Sequence, residues 1–475
     1  MSGSNLRAEG LDRSSLLGNW SGILAFGDQQ AEVFYEIDEE EGKLVSWLTL
    51  EKGGLYAMGP SVVERDEAGV WKLDWFGRVY SVDGNGQLIG AFQHYDKALE
   101  LVLEKVDTVP PKPKEKWAVD EPRVDWVVEV AGGVWAAPAA GQGLVLVGDD
   151  SGMVTAMHDD TGNVAWRFRT GAGIYASPKL DEDFLYASSD DGYVYCLAVG
   201  DGVERWRTRL GGGFMERSAR LPRVDDGAYD YRSSSPVIVE GTLFVGGAKG
   251  GVWALDTETG EVLWEFVTEG RVSGDVAVAG DVLVFGCRDG RVYAIDRNSG
   301  SERWRHEVGA EVVSTPAVHD GLAIVGSRNA SLLALDVETG QPRWESLTWT
   351  SWVESSGVVS GERMFIGSSD VAKLCARKLD TGEIGWERFL GGSLWAKPAV
   401  AGRRVYAGVT GSVGYFAPHV GAFACVDAES GELVWRMEFE PTEEAFLYGC
   451  PGGGVTEGER VYFGTLDGRV FAVKR

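Results

Sequence analysis

With 475 residues the chain is too long for one ordinary core, because single hydrophobic cores stop growing near roughly 250–300 residues; two domains or a repetitive architecture are required. Forty-five basic residues against 72 acidic ones leave a formal net charge of −27, which sets nucleic acid and anionic membrane surfaces aside as partners. Sixty-six glycines and 18 tryptophans point to many short strands joined by tight turns.

The sequence opens without an apolar leader, and no run approaches the roughly 18 apolar residues that span a bilayer. Five cysteines (Cys196, Cys287, Cys375, Cys425 and Cys450) lie scattered with no CxxC pair, so a reduced, cytoplasmic setting is expected. A secreted protein whose leader has been removed is the other possibility.

Residues 1–106 read as a small antiparallel β domain. Period-2 apolar runs at 19–26, 31–37, 43–50, 55–59, 70–75, 78–82, 88–92 and 99–106 predict a meander of about eight strands, enough for a small barrel. Gly18-x-Trp20 on its first strand resembles the lipocalin G-x-W signature, which implies a ligand-carrying barrel; an accessory β domain is the reading adopted. A Pro- and Lys-containing linker follows at about 107–123.

Residues 124–475 repeat. Tryptophans recur at Trp126, Trp166, Trp206, Trp264, Trp304, Trp344, Trp386 and Trp435, spaced 40, 40, 58, 40, 40, 42 and 49. One pattern, A-x-D-x-x-[TS]-G-x-x-x-W, precedes most of them, as in Ala294, Asp296, Ser299, Gly300 and Trp304. Each unit carries four short alternating runs, here called strands A to D with the tryptophan on D. Four strands every ~40 residues predict propeller blades. The stretch after Tyr448 supplies strands A, B and C but no D, while the segment around Trp126 is a D strand with nothing before it. The two ends therefore complete one blade, giving an all-β, eight-bladed propeller closed by strands from both termini.

The repeat resembles the tryptophan-docking motif of the pyrroloquinoline-quinone-type propellers, a superfamily that includes quinoprotein alcohol dehydrogenases and the propeller lipoprotein of bacterial outer-membrane assembly. The resemblance implies the fold and a docking role for the periodic tryptophan between neighbouring blades. It leaves the activity open.

Antiparallel pairing puts the D-to-A and B-to-C connections on one face and the A-to-B and C-to-D turns on the other. The three irregular insertions, 212–233, 410–421 and 438–454, all belong to the first face, which is the candidate site because loops on a rigid scaffold gather binding residues. Aligning the A strands on their entry prolines places Trp135, Tyr175, Trp395 and Tyr448 at one position of adjacent blades, with Trp352, Arg232, Arg271, Glu354, Lys397 and His419 nearby. These predict either a half-ring of aromatics around the channel mouth faced by arginines, or rings that merely fill the spaces between blades. A ligand site of Trp135, Tyr175, Arg232, Arg271, Trp352, Trp395, Lys397 and Tyr448 would suit an apolar or aromatic small molecule carrying an acidic group, or a peptide.

Catalysis is the alternative, through Glu354, His419 and Tyr448 in a cofactor-independent lyase, isomerase or cyclase; a carboxylate among indoles would be a raised-pKa acid, or else an ion-pair partner to a neighbouring blade. A quinoprotein oxidoreductase is the second alternative. The vicinal cysteines, calcium ligands and leader typical of those enzymes are not seen, and neither quinone, calcium nor another metal is expected as a cofactor.

Overall fold

The computed structural model describes residues 12–53, 55–74, 76–83, 85–94, 97–111, 121–211, 215, 217, 231–349, 351–413, 419–442 and 446–475. The expected linker falls largely outside them, at 112–120, as does most of the first insertion. Two compact units divide the chain: Met1–Lys116 with Leu347–Ser351, and Trp117–Ser346 with Trp352–Arg475. No helix among the described residues is long and apolar enough to cross a membrane.

The first unit begins with one helical turn, Arg13–Leu16, capped by the Asp12 carboxylate accepting from the Ser15 N–H at 2.9 Å. Nine strands follow: β1 (Gly18–Phe26), β2 (Gln29–Glu40), β3 (Lys43–Leu50), β4 (Leu55–Val62), β5 (Glu64–Arg65), β6 (Trp71–Lys72), β7 (Gly77–Val82), β8 (Leu88–His94) and β9 (Lys97–Val106). Their order in the sheet is β4-β3-β2-β1-β9-β8-β7-β6-β5. Only β1 and β9 are neighbours without being adjacent in the chain, so their pairing bends the meander into a nearly closed sheet. The run 70–75 was expected as one strand, yet β6 stops at Lys72. The cause is Asp74, whose carboxylate accepts from the N–H groups of Phe76 and Gly77 at 2.7 and 2.6 Å and folds the segment into a turn. Alternate residues fill the interior, among them Trp20, Leu24, Tyr35, Leu48 and Leu103; Trp349, from the second stretch of this unit, joins the same core. In the Gly18-x-Trp20 pair, Gly18 takes φ +118° and the buried Trp20 indole donates to the carbonyl of Leu16 at 2.8 Å, satisfying the end of the helical turn.

The second unit consists of eight antiparallel sheets in propeller order, each with four blade strands as expected from the repeat, and one of them with a fifth strand added. Blades 1 to 7 span 139–169, 179–209, 237–266, 277–307, 317–347, 358–389 and 399–438. Blade 8 takes its A, B and C strands from Gly454–Glu457, Arg460–Gly464 and Arg469–Lys474 and its D strand from Val124–Glu129.

The repeat motif has a direct physical reading. In blade 4, Asp296 accepts from the N–H groups of Asn298 and Ser299 at 3.1 and 3.0 Å and shapes the C-to-D turn. Gly300 then adopts φ +69° and lies flat on the indole of Trp264 from the preceding blade, where a Cβ would come within 2.7 Å of the ring. That indole donates to the Arg297 carbonyl of the same turn at 3.1 Å. The arrangement recurs at seven junctions, from Trp126 on Asp159 to Trp386 on Ala428. At the eighth, blade 8 has no C-to-D turn because its strands come from opposite ends of the chain; Trp435 finds its ring contacts within blade 7, against Tyr406 and Phe423. Two of the motif aspartates are held near pKa 2 by arginines beside them, Arg303 at Asp296 and Arg343 at Asp336.

Candidate functional site

The second and third insertions meet. Strand B of blade 7 runs on from Arg404 to Ser412, and its last three residues pair with an extra strand, Leu447–Gly449. This corrects the proline alignment. Ala139 faces Leu146, the third residue of its B strand, and in blade 8 the equivalent pair is Val455 with Tyr462. Gly454 therefore stands where Pro138 does, and Pro451 where Trp135 does. Pro451 belongs to the connection lengthened by the extra strand, not to a strand entry. In blade 4 the pair Ala277–Val284 puts Ser273 at that position. Tyr448 is thus not in the ring position: its hydroxyl donates to the His419 carbonyl at 3.1 Å, and its ring covers Gly411 and Gly421, where any Cβ would collide with it.

The other aromatics do converge, with one that sequence reasoning missed. Tyr231, at the end of the first insertion, stacks on Trp395 of the blade 7 entry with ring centroids 4.2 Å apart and on Trp135 of the blade 1 entry at 6.0 Å; Trp135 meets Tyr175 at 5.6 Å. Trp135, Tyr231 and Trp395 are all buried. The rings pack on one another across the channel mouth instead of standing around it. Trp352 lies outside this stack, under the Arg328 guanidinium at 4.7 Å.

A charged network braces the stack. Glu354 is buried, accepts from the Tyr231 hydroxyl at 2.6 Å and pairs with Arg328 at 2.6 Å. Burial, with the Glu354 charge beside it, pushes the Tyr231 phenol well above its usual range. Arg328 also pairs with Glu311 at 2.5 Å. Arg232 donates to the Glu354 carbonyl and Arg271 to the Arg232 carbonyl, so both expected arginines tie D-to-A connections together. Of the two expectations for Glu354, it is the ion pair to the neighbouring blade that the geometry shows. Cys450, the cysteine nearest the mouth, is buried, and burial pushes its thiol up.

Below the stack, one register position forms a polar hoop. The Ser177 N–H donates to Ser235 Oγ at 3.1 Å, Ser235 N–H to Asp275 Oδ1 at 2.6 Å, Asp275 N–H to Thr315 Oγ1 at 2.9 Å, and Thr315 N–H to Ser356 Oγ at 3.0 Å. Each bond crosses from one blade to the next. Lys397 holds the same position in blade 7 and is exposed. Hoop and stack together line a channel cavity of about 320 Å³, with Arg232, Lys397 and Asp275 as its charged groups. The recurring Ser-Pro, Ser-Pro and Thr-Pro pairs at 177, 235 and 315 were the sequence signal for the hoop.

A second, smaller recess shares Tyr231 and Trp395 with the channel cavity in its lining. It brings Glu354 and His419 together, with the His419 Nδ1 3.2 Å from Ser393 Oγ. Among the described residues no three His, Cys, Asp or Glu side chains stand close enough to share a metal ion.

Blades docked by tryptophan around a hydroxyl-lined channel define an eight-bladed propeller of the pyrroloquinoline-quinone-like type. The chain belongs to the family described as outer membrane protein assembly factor BamB, whose model matches residues 30–265, 248–357 and 346–475. Similar solved structures include BamB from Moraxella catarrhalis, at 17% identity and TM-score 0.57, covering 74% of this chain and 100% of that one. The computationally designed Ika8 protein matches at 15% and 0.57, over 73% and 98% of the two chains. A europium-containing methanol dehydrogenase matches at 13% and 0.56, over 72% and 85%. At these identities the likeness establishes the fold alone. No curated protein matches the chain.

Proposed function

We propose that the protein is a binding propeller whose channel cavity receives an apolar or aromatic body carrying an acidic group, presented by a small molecule or by the end of a peptide. The observation that carries this reading is the charge of the cavity. Arg232 and Lys397 against Asp275 give a local excess of one positive charge in a chain of net charge −27. Such a focus attracts anions where the rest of the surface repels them. The stacked rings above supply the apolar wall. The family's description as an assembly factor supports a peptide as the carrier.

Lys397 is exposed, so its loss leaves packing intact. Lys397→Ala is expected to weaken aromatic carboxylates, such as indole-3-acetate, and peptides ending in an aromatic residue at least about tenfold, since a hydrogen bond to a charged group is worth ~1.5–3 kcal/mol. Tryptophan fluorescence titration reads this directly, and amidating the peptide carboxylate is expected to do the same. Unchanged affinity in both cases overturns the reading.

A cofactor-independent enzyme is the second reading, favoured by Glu354 and His419 sharing one recess. It predicts that Glu354→Gln ends turnover of a bound compound while leaving its affinity unchanged.

A further inference from the structure

The register position that forms the hoop carries two charged side chains, Asp275 in blade 4 and Lys397 in blade 7, and among the described residues neither has an ion-pair partner. They stand three blades apart on an eight-bladed ring and line the same cavity. Asp275 uses Oδ1 to accept from the Ser235 N–H, which leaves its other carboxylate oxygen uncommitted. The remaining members in blades 2, 3, 5 and 6 are hydroxyls: Ser177, Ser235, Thr315 and Ser356. In blades 8 and 1 the same position falls to Gly453 and Ala137. Ala136, Ala396 and Gly452 also line the cavity there, so that arc is small and apolar, and it lies between the blade entries that carry Trp395 and Trp135. Around its circumference the cavity thus presents an apolar arc at blades 8 and 1, a cation beside it at blade 7, and an anion among hydroxyls at blade 4.

We propose, resting on the channel reading above, that the ligand is a free aromatic α-amino acid. Its α-carbon carries an aromatic side chain, a carboxylate and an ammonium, and the cavity offers a counterpart to each. The apolar arc and the aromatic rings take the side chain, Lys397 with Arg232 takes the carboxylate, and Asp275 with the neighbouring hydroxyls takes the ammonium. At about 320 Å³ the space is at the lower end for small-molecule sites, which suits one residue-sized molecule. The last residue of a peptide brings the carboxylate but an uncharged amide nitrogen, and so gives Asp275 no charged partner.

The test is isothermal titration calorimetry on the full chain with L-phenylalanine, with hydrocinnamate, which lacks the ammonium, and with phenethylamine, which lacks the carboxylate. L-Phenylalanine is expected to bind at least about tenfold more tightly than either, the effect of one further hydrogen bond between charged groups. Asp275→Asn keeps an oxygen to accept from the Ser235 N–H, so the hoop is retained. This variant is expected to bind L-phenylalanine no more tightly than hydrocinnamate, a loss of at least about tenfold, while hydrocinnamate itself is not weakened, which also checks that the variant folds. Lys397→Ala is expected to weaken L-phenylalanine and hydrocinnamate and to spare phenethylamine. L-Phenylalanine binding no more tightly than hydrocinnamate to the parent, Asp275→Asn weakening both alike, or a peptide ending in phenylalanine binding as tightly as the free amino acid overturns the proposal. Any of these results with hydrocinnamate still dependent on Lys397 leaves the channel reading standing, whereas hydrocinnamate binding indifferent to Lys397 removes the channel reading itself.

Discussion

Trp304→Ala is expected to destabilise the propeller by about 3–5 kcal/mol, the range for deleting a large aromatic side chain from a packed site. The side chain is 9% exposed, its indole donates to the Val337 carbonyl of blade 5 at 2.7 Å, and Gly340 lies against its face. Removing it empties the junction and leaves the turn carbonyl without its partner. The opposite change, Gly340→Val, is expected to act at the same contact. A Cβ there would stand 2.6 Å from the ring, and φ +69° is a conformation that β-branched residues avoid. Trp435→Ala provides the internal comparison. No C-to-D turn faces that indole, so the loss is expected to be smaller by about the ~1 kcal/mol of one hydrogen bond. Chemical denaturation followed by far-ultraviolet circular dichroism measures all three. Equal losses at Trp304 and Trp435 would show that the indole-to-turn bond contributes nothing and that the motif conserves ring packing alone.

The propeller was legible because each repeat carries its own local instruction. Within eleven residues the aspartate turns the chain, the glycine makes room for the tryptophan of the preceding blade, and the motif's own tryptophan goes on to dock under the next blade's glycine. Closure followed from a lone D strand at the start of the repeats and a blade without its D strand at their end. The site was only partly legible. Trp135, Tyr175 and Trp395 stand where their spacing put them, yet what they touch was decided by Tyr231. That residue arrives from an insertion whose path no periodicity fixes. Tyr448 was misplaced because Pro451 imitates a strand-entry proline, and only the Val455–Tyr462 register exposes the slip. Arg328 sits in a B-to-C loop that looked regular. Its role emerges only when Glu354 of the next connection folds against it.

Asp74 in the first unit sets the pH response expected there. Burial raises its carboxyl from 3.8 to about 6, although the N–H groups of Phe76 and Gly77 pull the other way. The folded state therefore binds a proton more readily than the unfolded chain. The associated stability is fully present below pH 3.8 and is lost as pH rises through about 6. A shift of this size corresponds to ~3 kcal/mol, since each pKa unit is worth about 1.4 kcal/mol. Asp74→Asn keeps an oxygen to accept from both backbone donors and puts its amide nitrogen where Oδ2 already has no hydrogen-bond partner. The variant is expected to match the parent near pH 4 and to exceed it by ~3 kcal/mol at pH 7.5. Native-state amide exchange of β6 and β7 in the full chain reads the difference, and the parent–variant comparison cancels the general pH response of a protein with 72 acidic residues. A constant offset between the two proteins across pH 4 to 7.5 would show that Asp74 stays ionised in the fold. The carboxylate would then be held by its backbone donors more strongly than burial opposes it.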